Sequence, residues 1–138
     1  MAEDSEREVT RTMSVVETRR YAVRARSTYM FGRVIWSCRD QHFVADGPVH
    51  NGCPGEAITP AELFLAGIAS CGVELLQVIA RAEDVPLRAA SVEISGEIDP
   101  ANPVRTDVSV FNSVRLSFRL QGITEEQGAL LVERFKGR

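Results

Sequence analysis

The chain has 138 residues, with 44% hydrophobic and 25% charged residues and a net charge of −3. These values fit one globular domain with a real core and exclude wholesale disorder; the negative balance removes the basic footprint expected of a nucleic-acid binder. Three widely spaced cysteines, an odd number, make a poor disulfide framework and point to a reducing cytoplasm.

Met1 to Thr12 is mostly charge and reads as a flexible tail, 1–12, without the apolar run of a signal peptide. Residues 13–138 read as a single domain. The runs VVETRRYAV, TYMFGRVIWS and HFVAD are rich in β-branched and aromatic residues and predict short strands. Cys38-Arg39-Asp40-Gln41 is expected to be a hairpin turn, and Gly47 to Thr59, with its glycines and prolines, a loop.

Thr59-Pro60 opens a helix, with Thr59 as N-cap, Pro60 at the first helical position and Glu62 completing a capping box. The helix is expected to run to about Asp84, with Pro86 closing it. At 100° per residue, Ser70, Glu74, Gln77 and Arg81 share a polar stripe. Phe64, Gly67, Cys71, Leu75, Val78 and Ala82 share an apolar one, and most of the remaining circumference is apolar too. Such a helix is expected to lie buried between other elements. Leu63 to Val73, bounded by Glu62 and Glu74, reads as too short to span a bilayer, so no membrane partner is expected.

Ser91 to Ile98 alternates as a strand does, and Asp99 to Pro103 cannot continue it. Val108, Val110, Val114, Leu116, Phe118 and Leu120 hold period two, the clearest strand signal in the chain. Thr124 to Gln127 forms a second capping box before a short helix that ends at Gly137. The order predicts an α+β fold in which an antiparallel sheet wraps a long central buried helix.

No phosphate loop, dinucleotide fingerprint or nucleophile elbow is present, and no cofactor is expected. His50 and Cys53, with His42 nearby, fall short of the three or four ligands zinc needs, so no metal is expected. Arg19, Arg20, Arg24 and Arg26, interleaved with Tyr21 and Tyr29, read as the solvated face of a strand; no nucleic-acid partner is expected. Cys71 is the candidate for chemistry. Periodicity alone favours a packing cysteine, since it shares the apolar stripe. Cys38 and Cys53 lie in a turn and a loop with no basic partner readable from sequence.

The stretch Ile58 to Ile79, ITPAELFLAGIASCGVELLQVI, changes that balance. Its Pro60, its Glu62-Leu63-Phe64 first turn, its small residues Ala66, Gly67, Ala69 and Ser70, and Cys71 eleven residues after the proline form one pattern. It resembles the signature helix of the OsmC/Ohr family, the osmotically inducible and organic hydroperoxide resistance proteins. The preceding Asp46 to Pro48 and the following Val92 to Ile98 agree, and the similarity covers most of Gly32 to Phe135. The resemblance implies an OsmC-like fold assembled as an intertwined homodimer. It also implies a thiol-dependent peroxidase that reduces organic hydroperoxides in oxidative-stress defence, with Cys71 as peroxidatic nucleophile and a thiol partner to resolve its sulfenic acid. The family's tuning arginine falls in the N-terminal strands, where Arg33 and Arg26 are both candidates. Its catalytic glutamate directly follows the helix proline, a place held here by Ala61; Glu62, one residue on, matches a different position that many members also fill with Glu, and it is the catalytic carboxylate candidate in this chain. The family's resolving Cys-Pro is expected just where this chain stops, at Arg138, so the final helix and terminal strand are expected to be missing. Resolution then falls to Cys53 or an external thiol reductant. The alternative is a non-catalytic member of the same fold that binds a small apolar ligand beside the central helix, with Cys71 as packing.

Overall fold

A computed structural model describes residues 17–137 of the chain. The proposed tail, 1–12, lies outside the described residues. Strands β1 (Arg24–Ser27), β2 (Arg33–Cys38) and β3 (Gln41–Asp46) form a three-stranded antiparallel sheet in sequence order. A single 3₁₀ turn, Val49–Asn51, interrupts the loop that leads to helix α1 (Pro60–Ala82). Strands β4 (Ala89–Glu97) and β5 (Ser113–Gln121) pair as a second antiparallel sheet, and helix α2 (Glu125–Lys136) closes the chain.

The α+β class holds, with the antiparallel strands divided between two sheets. Helix α1 packs on β4 and on α2, while the three-stranded sheet makes only slight contact with the other strands and helices. The buried core is correspondingly small. Leu76, Ile79 and Ala80 of α1 meet Leu131 of α2, with Phe118, Leu120, Ile123 and Phe135 packed around them. Gly72 allows the close approach: a Cβ there would stand 3.2 Å from the Phe118 ring.

Several element boundaries shift from those expected, each for a local reason. The run TYMFGRVIWS breaks because residues 28–32 turn. Met30 N–H donates to Thr28 Oγ1 (3.2 Å), and Gly32 takes φ +81°, a left-handed conformation open to glycine. Val15 and Val16 of the run VVETRRYAV lie outside the described residues, and the remainder precedes β1. Arg24 already faces Ser37, one residue from the end of β2, so the chain before it has no strand to pair with. The hairpin at Arg39-Asp40 stands as expected, with Arg39 at φ +53°. Helix α1 ends at Ala82, two residues before Asp84, whose φ of +54° leaves the helical region. Val108 and Val110 are not in β5. The last cross-strand pair is Glu97 with Ser113, and beyond it Pro100 and Pro103 leave no ladder donors opposite them.

By length and composition α1 could cross a membrane, with a mean hydropathy of 1.9 over its most apolar 18 residues, contrary to the reading of Leu63 to Val73 as too short. A core helix passes the same test, and α1 is seated on the β4–β5 sheet through Gly72, Leu76, Ile79 and Ala80. It is not buried all round. Phe64 is 58% exposed, and no atom outside the helix backbone lies within 4 Å of a Cβ built at Gly67.

Candidate active site around Cys71

Helix α1 begins with the reciprocal cap read from the sequence. Glu62 N–H donates to Thr59 Oγ1 (3.4 Å), while Thr59 N–H and Thr59 Oγ1 both donate to Glu62 Oε1 (3.0 and 2.7 Å). These bonds, the hydroxyl first, hold the Glu62 carboxyl below its ordinary pKa. The Glu62 carboxylate is therefore spent on the helix end. Nine residues separate it from Cys71, about 13 Å along the helix axis.

Cys71 lies in the middle of α1 and is exposed in the protomer. A 3.6-residue period puts it about a third of a turn away from Gly72, so it faces away from the core that Gly72, Leu76 and Ile79 enter. Phe64, Gly67, Leu75 and Val78 share its stripe. The fully buried packing cysteine that periodicity favours is thus absent from the protomer. Among the described residues the Cys71 thiol makes no hydrogen bond.

The two arginine candidates take different places. Arg26 is exposed on β1, opposite Ile35. Arg33 is tied into a network that sequence reading missed. Its Nε donates to Asp46 Oδ1 (2.7 Å) and its Nη2 to Asp46 Oδ2 (2.8 Å), a bidentate pair, and Nη2 also reaches Glu56 Oε2 (3.2 Å). The Asp46 side chain is wholly buried and accepts two further bonds, from the Glu56 and Ala57 amides (3.0 and 2.8 Å). Arg33 first, and then these amides, hold the Asp46 carboxyl far below its ordinary range against the opposing effect of burial; Asp46 in turn keeps Arg33 protonated. Asp46 N–H donates to Ile58 O (3.0 Å), so this node fastens the three-stranded sheet to the segment just before the helix cap. The register could have revealed it: a two-residue turn pairing Cys38 with Gln41 places Arg33 opposite Asp46.

Cys53 packs into the corner between Gly32 and Gly47, where a Cβ on either glycine would collide with its Sγ; its thiol points to Asn51 O (3.9 Å). Cys38 ends β2, and all three cysteines are free thiols. Among the described residues, no three His, Cys, Asp or Glu side chains gather as metal ligands.

Beside the first half of α1 lies an apolar cavity of about 690 Å³, within the range of small-molecule sites. Pro60, Ala61, Phe64 and Ile68 form its helical wall. Opposite it, Val114 stands at the start of β5, and the β4–β5 connection supplies Ile98, Val110 and Phe111. The Phe64 and Phe111 rings stack with centroids 5.6 Å apart and planes at 15°. Ala61, at the place where the resembling peroxidases carry a carboxylate, faces this cavity.

Residues 53–138 match the family model described as OsmC-like protein. No curated protein matches the sequence. Among solved structures, the fold is similar to the OsmC-like protein of Mycoplasma pneumoniae at a TM-score of 0.73 and 16% identity, covering 88% of this chain and 84% of that one. An organic hydroperoxide resistance protein from Legionella pneumophila matches at 0.67 and 20% identity, covering 86% and 82%. Another, from Elizabethkingia anophelis, matches at 0.68 and 17% identity, covering 85% and 81%.

Proposed function

The chain belongs to the OsmC-like protein family, and from that premise we propose that it is a cytoplasmic thiol-dependent peroxidase that reduces organic hydroperoxides in oxidative-stress defence. The observation that carries this reading is the exposed Cys71 thiol at the middle of α1, on the helix whose first half borders an apolar cavity.

In the proposed reaction the Cys71 thiolate attacks the terminal peroxide oxygen. The O–O bond breaks, the alkoxide leaves and takes a proton as the alcohol, and the sulfur becomes a sulfenic acid. An external dithiol then attacks that sulfur, expelling water, and its second thiol releases Cys71 as its own disulfide forms. Cys53 is the weaker candidate resolver because it is packed between Gly32 and Gly47. A guanidinium near the thiolate favours the charged form, and Arg33 and Arg26 are the candidates for that role. In the protomer Arg33 is engaged by Asp46 and Glu56.

We further propose that the working unit is a homodimer. On the apolar stripe Phe64, Gly67 and Cys71 are exposed and Leu75 and Val78 only half-buried, and both sheets leave open edges. A second copy that covers them would bury more than about 2,000 Å², as obligate dimers do. A monodisperse monomer by light scattering at micromolar concentration refutes this.

A second reading has one observation in its favour. Ala61 gives the cavity an uncharged wall where the resembling peroxidases carry a glutamate, as suits a non-catalytic protein that binds a small apolar ligand. Turnover separates the two. Wild type should consume one equivalent of cumene hydroperoxide and yield a sulfenic acid that dimedone traps, and Cys71→Ser should do neither. Equal consumption by both proteins removes the support for Cys71. Saturable binding of cumyl alcohol without any sulfenic acid favours the second reading.

A further inference from the structure

We propose that Phe111, delivered by the β4–β5 connection, determines which hydroperoxides this site prefers, by forming the aromatic wall against which the substrate's organic group packs. The proposal rests on the reading of Cys71 as nucleophile. Ile68 is the lining residue nearest Cys71 on the helix, three residues and about 4.5 Å along the axis before it, with Phe64 about 10 Å away, so the cavity wall ends about one turn short of the thiol and runs from there toward the helix start. The lining carries no charged side chain, and Ser109 is its one hydroxyl, so the occupant that fits is an uncharged hydrocarbon or aryl group.

Phe111 is held in place from three directions. Its ring stacks on Phe64. Behind it, a Cβ on Gly96 would lie 2.6 Å from Phe111 Cε1, so the glycine provides the space the ring occupies. On its chain side, Asn112 braces the connection. Asn112 N–H donates to Glu97 O (2.8 Å), Asn112 Nδ2 donates to Asn102 O (2.7 Å), and Asp99 N–H donates to Asn112 Oδ1 (2.7 Å). Asp99 in turn accepts from Ala101 N–H and Asn102 Nδ2 (both 3.0 Å). A connection so braced presents one aromatic ring in a fixed position, which a specificity wall requires.

The test is steady-state reduction of tert-butyl hydroperoxide and cumene hydroperoxide by full-length wild type, Phe111→Ala and Phe111→Leu, with dithiothreitol as reductant. The compact tert-butyl group has little to offer a distant ring, whereas the phenyl group of cumene hydroperoxide stacks on it. Phe111→Ala is expected to lower kcat/KM for cumene hydroperoxide at least tenfold, mainly through KM, and to leave tert-butyl hydroperoxide within twofold. Phe111→Leu, which keeps apolar bulk, is expected to move the ratio the same way by a smaller factor and serves alone if the alanine variant fails to fold. An equal fall for both substrates, or an unchanged ratio in a folded variant, overturns the proposal. Failure of the Cys71 reading looks different: wild type is then no faster than Cys71→Ser on either hydroperoxide, and the proposal falls with it.

Discussion

Gly72→Ala tests the packing that turns Cys71 away from the core. Adding a methyl in the middle of an exposed helix face removes glycine's backbone penalty and gains about 1 kcal/mol. Here the new Cβ would stand 3.2 Å from Phe118 Cε1 and Cζ and 3.7 Å from Leu116 Cδ2. Any retreat of Phe118 disturbs its packing on Phe135, which it meets edge-on at 5.4 Å and 77°. Overpacking of this kind costs about 1–3 kcal/mol, which exceeds the helix gain. The expected net result is a loss of about 1 kcal/mol, read from the urea midpoint by far-ultraviolet circular dichroism at one fixed protein concentration. Phe118→Leu should relieve the contact. In that background Gly72→Ala should become neutral or stabilising, giving a coupling of about 1 kcal/mol in a double-mutant cycle. A gain of about 1 kcal/mol from Gly72→Ala in the wild-type background would refute the seating of α1 on β5.

Leu131→Ala opens a cavity beside Leu76 and Ile79 in a core with few fully buried side chains; the expected loss is about 3–4 kcal/mol by urea unfolding, and a loss below about 1 kcal/mol contradicts the core described. Thr59→Ala should cost about 1 kcal/mol by removing the cap, and Thr59→Ser should restore most of it in the same assay. Asp46 carries a depressed pKa, so its contribution to stability is complete above the unfolded carboxylate value of about 3.9 and is lost as pH falls below it. Asp46→Asn should therefore lower stability at pH 7, because every partner of Asp46 is a donor and an amide NH₂ must oppose one of them, and should flatten the decline below about pH 4 in a urea series. A wild-type slope retained by Asp46→Asn would assign acid sensitivity elsewhere, with Glu62 and Asp99, both also depressed, the next candidates.

Local chemistry was legible in the sequence wherever a few neighbouring residues decide the outcome. Thr59, Pro60 and Glu62 start α1, and Thr124 with Gln127 starts α2, because a capping box is complete within four residues. Arg39-Asp40 turns the hairpin, and the polar stripe of Ser70, Glu74, Gln77 and Arg81 stays exposed, for reasons of equally short range. The motif ending in Cys71 was legible too, since its eleven-residue spacing lies within one helix. Tertiary structure decided the rest. Period two continued through Val108 and Val110, yet the strand begins at Ser113, because a ladder needs a partner and β4 ends at Glu97. The helix is apolar nearly all round, so its pattern could not say which side meets β5; Gly72 against Phe118 decided that and left Cys71 facing outward. Arg33 and Asp46 are thirteen residues apart, and only the folded hairpin, together with the return of the Glu56 and Ala57 amides, makes one of them a buried acid with four donors. Phe111 reaches Phe64 across forty-seven residues of chain, a contact fixed by the bracing of Asn112 and the space at Gly96 rather than by any local preference. Helix ends and turns are set by bonds within a few residues; the faces that pack and the groups that meet are set by burial, which only the assembled fold determines.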